Sequence, residues 1–273
     1  MKKIIIIGKK SFIGNNLKLY LQKKYIIKAL NLNQFLKLKK KRLENVHWII
    51  NCSINNKYIK KKYEEHFDFD LKVARKILNL KCNFIFLSSR KIYKNLDNLI
   101  EKKNIQPKCN YSKNKLKTEK KLSAILKKRL LILRISNLIG LKNHNNSKRK
   151  IHDTFIDYFF RNVKKGIIFK NKKNYKDFLS IRQFSLVVEK LIFNNITGIY
   201  NVSMGKKVYL KNLIEWLNYY NRGKYMLVDL PKNFNDESFY LNNTKLKKII
   251  KVNLNIKDLE EDCKILSKNF FKR

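Results

Sequence analysis

Apolar positions in the first half of the chain alternate between short continuous runs and helical spacings. The run Ile4–Ile7 is typical of a strand buried on both faces, and Asn15 to Lys24 spaces its apolar residues as a helix does. The same patterns predict strands at Tyr25–Leu30, Val46–Asn51, Asn83–Leu87 and Leu130–Ile135, and helices at Phe69–Leu80 and Ser112–Lys127. Strands separated by helices indicate βαβ units and a parallel sheet.

The predicted fold class is therefore α/β: a Rossmann doubly wound parallel sheet with a smaller C-terminal substrate lobe. We expect residues 1–140 to form the dinucleotide-binding domain, with residues 176–203 returning to it. Residues 141–273 are expected to form the smaller substrate-binding lobe. The division rests on a dense polar loop, Lys142 to Lys150, after which the pattern of apolar residues is mixed.

Length and composition exclude several classes of protein. With 273 residues, 44% of them hydrophobic, the chain is long enough to bury a core. No apolar run approaches the roughly 18 residues of a membrane span, and Ile4–Ile7 is shorter than the roughly 7–15 residues of a signal-peptide core. We expect a cytoplasmic protein. The four cysteines form no C-x-x-C pair and the four histidines have no metal-ligand spacing, so neither a metal nor a disulfide framework is expected.

The net charge of +44, from 64 Lys and Arg against 20 Asp and Glu, suggests nucleic acid or an anionic membrane as a partner. However, 54 of these cations are Lys and 10 are Arg, whereas base-edge and bidentate phosphate recognition favours Arg. The lysines are also spread along the whole chain, together with 35 Asn and 3 Ala. This distribution favours a compositional bias over a dedicated polyanion site.

A glycine pair follows the first predicted strand. Gly8 and Gly14 enclose Lys-Lys-Ser-Phe-Ile at the point where a Rossmann fold needs a tight turn before its first helix, and they are two of only seven glycines. Ser11 stands at the middle position, where a hydroxyl could donate to a phosphate. Asn31 or Asn33 stands where an acidic residue would hold the adenosine ribose, and Lys37 and Lys39 are near. The cofactor is thus NAD or NADP, with NADP favoured.

Four Tyr-x-x-x-Lys pairs occur, and context separates one of them from the rest. Tyr111 and Lys115 lie at the start of a predicted helix, about 20 residues after a strand that ends in Ser88 and Ser89. A free tyrosine has a pKa near 10, and an adjacent ammonium favours the phenolate, so such a pair suits proton transfer at a sugar hydroxyl.

These motifs together resemble the extended short-chain dehydrogenase/reductases, the nucleotide-sugar epimerase/dehydratase group. The resemblance covers nearly the whole chain, and its pieces occur in the family's order. The matching stretches begin at Gly8 (G-x-x-G-F-I-G), Trp48 (V-I-N-C-A-A), Ser88 (S-S-x-x-V-Y), Tyr111 (Y-x-x-x-K), Leu133 (L-R-x-x-N-x-x-G), Lys176 (R-D-F-I-H-V), Gly198 (G-x-Y-N-x-x-x-G) and Asn243 (a late T-K segment).

The resemblance implies a role for each matching residue. Ser89, Tyr111 and Lys115 would be catalytic: Tyr111 as acid/base, Ser89 as the group that orients the substrate, and Lys115 as a ligand of the nicotinamide ribose. The expected cofactor contacts are Gly8, Ser11, Phe12, Ile13, Gly14, Asn31, Cys52, Ser88 and Lys115. Ser89 and Asn137 would contact the substrate, a nucleotide sugar. A homodimer through the helix that carries Tyr111 is also implied.

Three departures from the family pattern limit these implications. Ser11 replaces a glycine, and Ser180, Arg182 and Gln183 stand where the family often shows His and acidic residues. Arg90 and Lys91 follow Ser89 in place of the Asp-Glu pair of the 4,6-dehydratases. This disfavours dehydration and favours an NAD(P)-dependent epimerase or 4-keto reductase of surface polysaccharide synthesis.

For the enzyme we expect no specific nucleic acid partner. An alternative hypothesis is a catalytically inactive Rossmann protein that binds RNA or anionic membrane through its basic surface. Two further expectations concern charged residues: Glu64, Glu65, Asp68 and Asp70 as surface ion-pair partners, and Thr118–Lys121 as the solvated side of its helix.

Overall fold

The fold is described from a computed structural model. It describes residues 1–140, 159, 167–170, 174–221, 226–229 and 238–271. The predicted polar loop Lys142 to Lys150, with His144, and also His152 lie outside the described residues.

The described elements follow one another as strands and helices. The strands are β1 (Lys3–Ile7), β2 (Ile26–Leu30), β3 (Trp48–Asn51), β4 (Asn83–Ser89), β5 (Leu130–Ile135), β6 (Asn137–Ile139), β7 (Ile167–Lys170), β8 (Tyr175–Lys176), β9 (Phe178–Ser180), β10 (Gly198–Val202), β11 (Val208–Tyr209) and β12 (Met226–Asp229). The helices are α1 (Phe12–Leu21), α2 (Leu32–Leu36), α3 (Asn56–Lys60), α4 (Phe69–Lys76), α5 (Asn110–Leu126), α6 (Ile181–Phe193), α7 (Leu210–Leu217), α8 (Thr244–Ile249) and α9 (Ile256–Phe271). Short 3-10 turns lie at Lys40–Arg42, Glu65–Phe67, Arg90–Ile92 and Lys127–Arg129.

Six parallel strands form the central sheet in the order β2-β1-β3-β4-β5-β10. This confirms the predicted α/β doubly wound sheet. The strand order reverses between β1 and β3, and ligands of such sheets bind at that switch point, beyond the carboxyl ends of the strands. In the described part of the chain β2 has a strand neighbour on one side, so it forms an edge of the sheet.

The sheet is buried on both faces, as the isoleucine run predicts. Ile4 and Ile6 point into a core built with α1 and α6, whereas Ile5 and Ile7 point into a second core built with α4 and α5. Alternate residues of a strand face opposite sides, so four consecutive isoleucines serve two separate cores.

The start of α1 and the end of β4 matter for the site, and the first of these differs from the prediction. Helix α1 begins at Phe12 and not at Asn15, because the Ser11 side chain accepts a hydrogen bond from the Gly14 amide and caps the helix. Strand β4 continues to Ser89, which pairs with Ile135 of β5. Ser88 and Ser89 are therefore the last residues of the strand.

The chain returns to the central sheet through α6 and β10, which pairs with β5. Short pairs of strands lie outside that sheet: β6 with β9, β8 with β11, and β7 with β12. Buried Asp177 connects this region, since its carboxylate accepts hydrogen bonds from the amides of Met204, Gly205 and Leu241. Burial raises the pKa of Asp177 to about 7, and the backbone hydrogen bonds oppose that shift. Among the described residues, no helix is both long and apolar enough to span a membrane.

Candidate active site

The glycine loop fits tightly against the end of β3. Gly8 has a φ of +95°, and a Cβ there would lie 2.8 Å from the Cys52 carbonyl carbon and 2.9 Å from the Ser53 nitrogen. A Cβ on Gly14 would lie 2.5 Å from the Gly8 carbonyl oxygen. Side chains are excluded at both positions, so the backbone can approach a bound pyrophosphate as a dinucleotide site requires.

Ser11 caps the first helix from this loop. Its hydroxyl oxygen accepts the Gly14 amide at 3.0 Å, so it supplies the N-cap of α1. Phe12 and Ile13 form the first turn of the helix, where unpaired amides favour an anion. The Phe12 ring lies against Gly140, and a Cβ there would come within 2.9 Å of the ring.

Asn31 lies beside the loop but is engaged in a helix cap. The Gly8 and Lys9 amides both donate to the Leu30 carbonyl, so the loop contacts the end of β2. Exposed Asn31 caps α2: its side-chain oxygen accepts the Gln34 amide at 2.8 Å, and the Gln34 side chain accepts the Asn31 amide. Its place next to the glycine loop agrees with the predicted role, and contact with a ribose stays a prediction.

Cys52 lies at the switch point. Its amide donates to the Ile7 carbonyl at 2.8 Å, which joins the ends of β1 and β3. Burial, followed by the charge of Asp70, raises the pKa of the Cys52 thiol above its usual range. The side chain is therefore neutral and contributes shape to the expected cofactor cleft.

The two serines that end β4 point in different directions. The Ser88 hydroxyl is buried and donates to the Glu119 carboxylate at 2.5 Å, so it enters a buried network. The Ser89 oxygen accepts the Lys91 amide at 3.2 Å and caps the turn Arg90–Ile92. Ser89 is partly exposed, as a group that orients a substrate must be.

Helix α5 carries Tyr111 and Lys115 one turn apart. Its first turns are held by asparagines: Asn110 donates to the Lys60 carbonyl, and Asn114 donates to the Tyr58 carbonyl. The Lys115 ammonium is buried and donates to the Leu87 carbonyl at 2.8 Å. It lies 6.0 Å from the centroid of the partly buried Tyr111 ring.

A buried carboxylate next to Lys115 is absent from the sequence-based prediction of the site. An Asp70 oxygen lies 3.8 Å from the Lys115 nitrogen, and the other oxygen accepts the Asn51 amide nitrogen at 2.7 Å. Asp68 is also buried, and its carboxylate caps α4 and accepts Thr118. The expectation that Asp68 and Asp70 are surface ion-pair partners is wrong, whereas Glu65 does pair with Arg75 and Lys121 near the surface.

The expectation that Thr118–Lys121 forms a solvated helix face is wrong for its first two residues. Thr118 and Glu119 are buried, and Glu119 makes a bidentate ion pair with buried Arg134 at 2.6 and 3.1 Å. Arg134 in turn donates to the Tyr93 hydroxyl, and Tyr93 donates to the Asn201 side chain. This network supports the ends of β4, β5 and β10 beneath the expected substrate.

Two cations, Arg90 and Lys91, follow Ser89 in the chain, and a third, Lys176, lies near Lys91. Burial, and then the charges of Arg90 and Lys176, lower the pKa of the Lys91 ammonium. The Arg90 guanidinium stacks on the Phe239 ring at 3.8 Å. A group of like charges that is half-buried in this way favours an anionic ligand.

Asn137 opens β6, and its amide donates to the Asp177 carbonyl. It is partly exposed beyond the end of β5, which agrees with the predicted contact to substrate. The described residues contain no group of three or more His, Cys, Asp or Glu side chains placed to hold a metal ion.

Three solved structures have the same fold. UDP-N-acetylglucosamine 4-epimerase from Methanobrevibacter ruminantium M1, in complex with UDP-N-acetylmuramic acid, has a TM-score of 0.79 and 18% identity, covering 99% of this chain and 98% of that one. UDP-glucuronic acid 4-epimerase from Bacillus cereus, in complex with NAD, has a TM-score of 0.76 and 14% identity, with 98% and 99% covered. RMD from Pseudomonas aeruginosa, complexed with NADPH, has a TM-score of 0.74 and 16% identity, with 100% of both chains covered. At these identities the likeness shows the fold.

A curated protein of another kind is also similar in sequence. The chain is 30% identical over 141 residues to ATP synthase subunit delta from Malacoplasma penetrans (strain HF-2), which covers 50% of this chain and 70% of that protein. Lys and Asn together supply 89 of the 273 residues of this chain, so identities by chance are frequent with any sequence that is also rich in these two residues.

A family model matches most of the chain, and this match agrees with the glycine loop, the parallel sheet and the Tyr111–Lys115 pair. The model of the NAD dependent epimerase/dehydratase family matches residues 4–202, which include the switch point, all three catalytic candidates and the return through β10. The chain belongs to the NAD-dependent epimerase/dehydratase family.

Proposed function

We propose that the chain is an NAD(P)-dependent nucleotide-sugar epimerase or 4-keto reductase that serves surface polysaccharide synthesis. The observation that carries the proposal is a continuous set of contacts from the glycine loop to the catalytic pair. Gly8 packs on Cys52, Asn51 donates to Asp70, and Asp70 pairs with Lys115, one turn from Tyr111. The loop that is expected to bind the pyrophosphate and the proposed proton-transfer groups are thereby connected by direct contacts.

The side chains divide the chemistry among them. When bound, the nicotinamide dinucleotide supplies the hydride acceptor and donor. Tyr111 exchanges a proton with the sugar hydroxyl whose carbon changes oxidation state, and Ser89 holds that oxygen in place. Lys115 places its positive charge beside the Tyr111 ring and offers its ammonium to the nicotinamide ribose.

The choice between NAD and NADP stays open, and the structural relatives include a complex of each kind. The preference for NADP rests on Asn31 at a position where an acidic residue would repel a 2′-phosphate. A thermal-shift titration with the four dinucleotides separates the two, because a ligand that binds the native state raises the melting temperature.

The cations near Ser89 support a substrate with a diphosphate. Arg90 and Lys91 follow Ser89 directly, and Lys176 is close enough to lower the pKa of Lys91, so these cations would attract the diphosphate of a nucleotide-activated sugar. Asn137 is the proposed neutral contact in the same region. A homodimer and a cytoplasmic location remain predictions from the sequence.

The decisive experiment replaces Tyr111 by Phe. The variant should bind NAD(H) or NADP(H) as the parent does, yet lose turnover of UDP- and dTDP-activated hexoses by roughly 10²- to 10⁴-fold. Tyr20→Phe is the matched control, because Tyr20 also precedes a lysine by four residues but lies outside the cleft, on α1. Unchanged turnover in Tyr111→Phe overturns the mechanism.

The alternative of an inactive binding protein receives less support from the buried polar groups. Asp70, Lys115, Glu119 and Arg134 all carry ionisable groups, and all four are buried around the end of β4. Burying ionisable groups costs free energy, and such groups concentrate at active sites. A scaffold that binds RNA or membrane through its surface does not require them.

A further inference from the structure

The Asp70 carboxylate joins three elements beneath the switch point. It lies on α4, contacts Lys115 of α5 at 3.8 Å and accepts Asn51 of β3 at 2.7 Å. The side chains of Asp70 and Lys115 are each 6% exposed, so water screens their interaction little.

The groups that face Asp70 come from every neighbouring element. Asp68 faces it from the start of its own helix, Asn51 and Cys52 from the end of β3, and Tyr58 from α3. Lys115 is the cation among these described groups. The balance of charge around Lys115 therefore depends on Asp70.

Within the described residues, the other contacts of the Lys115 ammonium are neutral. It donates to the Leu87 carbonyl and lies over the rings of Phe86 at 4.4 Å, Tyr58 at 5.7 Å and Tyr111 at 6.0 Å. Asp70 is thus the charged anchor of the ammonium. When it is ionised it also opposes the positive field of Lys115 at Tyr111.

We propose that Asp70 is a positioning residue that fixes the Lys115 ammonium and moderates its charge at Tyr111. This inference rests on the proposed function, in which Tyr111 transfers the proton. Replacing the carboxylate by an amide leaves Lys115 with its full field. We then expect the acid limb of the turnover profile to move to lower pH.

The test compares pH profiles of Asp70→Asn, Asp70→Glu and the parent. Asparagine preserves the acceptor for Asn51, and we expect the acid limb of kcat to move down by about one pH unit. Asp70→Glu keeps the charge and should restore the parent profile. Glu65→Gln is the control: it removes a carboxylate that pairs with Arg75 and Lys121 and is not among the groups that face Asp70, and it should leave the limb in place.

A second readout needs no substrate. The absorbance of tyrosinate is measured as the pH of each protein solution is raised, and the signal of the corresponding Tyr111→Phe protein is subtracted. The midpoint of the Tyr111 signal should fall in Asp70→Asn by about the same pH unit. If Asp70→Asn does not fold, Asp70→Glu is compared with Glu65→Gln. A shifted profile in Asp70→Glu, with none in Glu65→Gln, overturns charge as the cause.

The two proposals fail in different ways. An active parent whose Tyr111→Phe variant is equally active overturns the proposed function. An active parent with an inactive Tyr111→Phe variant, but with identical profiles and phenolate midpoints for the parent and Asp70→Asn, overturns the role of Asp70 alone.

Discussion

Glu119 and Arg134 form a bidentate ion pair with both side chains almost fully buried. The pair joins the middle of α5 to the end of β5, and it receives the Ser88 hydroxyl as a third partner. The helix that carries Tyr111 is in this way fixed to the sheet by charge as well as by apolar packing.

Removing one half of this pair should be costly. Glu119→Ala leaves the Arg134 guanidinium buried without its partner, and we expect a loss of about 3–5 kcal/mol in unfolding free energy. Urea denaturation measures the loss. Lys120→Ala, at the adjacent exposed position, should change stability by less than about 0.5 kcal/mol. Equal effects at the two positions would show that the pair contributes nothing specific.

Ser11 should act on stability more than on dinucleotide binding. Its hydroxyl caps α1, so Ser11→Ala should lower the unfolding free energy by about 1 kcal/mol, and Ser11→Gly by only a few tenths. Calorimetric titration with NAD(H) and NADP(H) should give nearly unchanged dissociation constants for both variants. A large loss of affinity in Ser11→Ala, with full affinity in Gly14→Ala, would contradict the assigned roles, because a Cβ at Gly14 meets the Gly8 carbonyl at 2.5 Å.

The stability of the fold should depend on the titration of Asp70. Burial raises its pKa to about 7, above the ~3.9 of an unfolded aspartate. The folded state therefore holds the proton more tightly between these pH values. As pH rises from about 4 to about 7, the unfolding free energy should fall by at most ~1.4 kcal/mol per pH unit because of this group. Above about pH 7 the titration of Asp70 should no longer change the unfolding free energy.

The difference between the parent and Asp70→Asn isolates this contribution from those of other groups. Urea denaturation at several pH values should show a smaller slope for the variant between pH 5 and 7. A variant with the same slope as the parent would show that Asp70 is ionised throughout that range.

Dimerisation through α5 should respond strongly to salt. The exposed positions of the helix include Lys113, Lys117 and Lys120, so a two-fold contact brings rows of like charge together. Light scattering should detect a larger dimer fraction at high ionic strength than at low, because salt screens this repulsion. The opposite trend would indicate a contact made elsewhere.

The basic surface should bind RNA weakly and without sequence preference. Gel-shift assays should show binding at low salt that disappears near physiological salt, following the release of counterions from phosphates. Liposomes with anionic lipid test the membrane form of the same alternative. Tight binding at physiological salt in either assay would favour the alternative over the enzyme.

The sequence predicts the backbone of the site better than its buried charges. Gly8, Gly14 and the Tyr111–Lys115 pair are visible because their residue types and spacings carry the chemistry. Asp70 and Glu119 are not, since a charged residue in a lysine-rich segment looks solvated when it is considered alone. Their positions within the helices hold the missing signal: Asp70 aligns with buried Ala74 and Ile77, and Glu119 aligns with buried Lys115 and Leu122.

The edge position of β2 gives the excess of lysine a physical consequence. An open edge offers backbone hydrogen-bonding groups to any extended segment, and exposed Ile26 makes that edge attractive to a second copy. Lys28 is exposed in the middle of the strand, and exposed Lys23 and Lys24 precede it. If two copies paired through this edge, these ammonium groups would lie close together and repel each other. The excess of lysine therefore also opposes aggregation by strand addition.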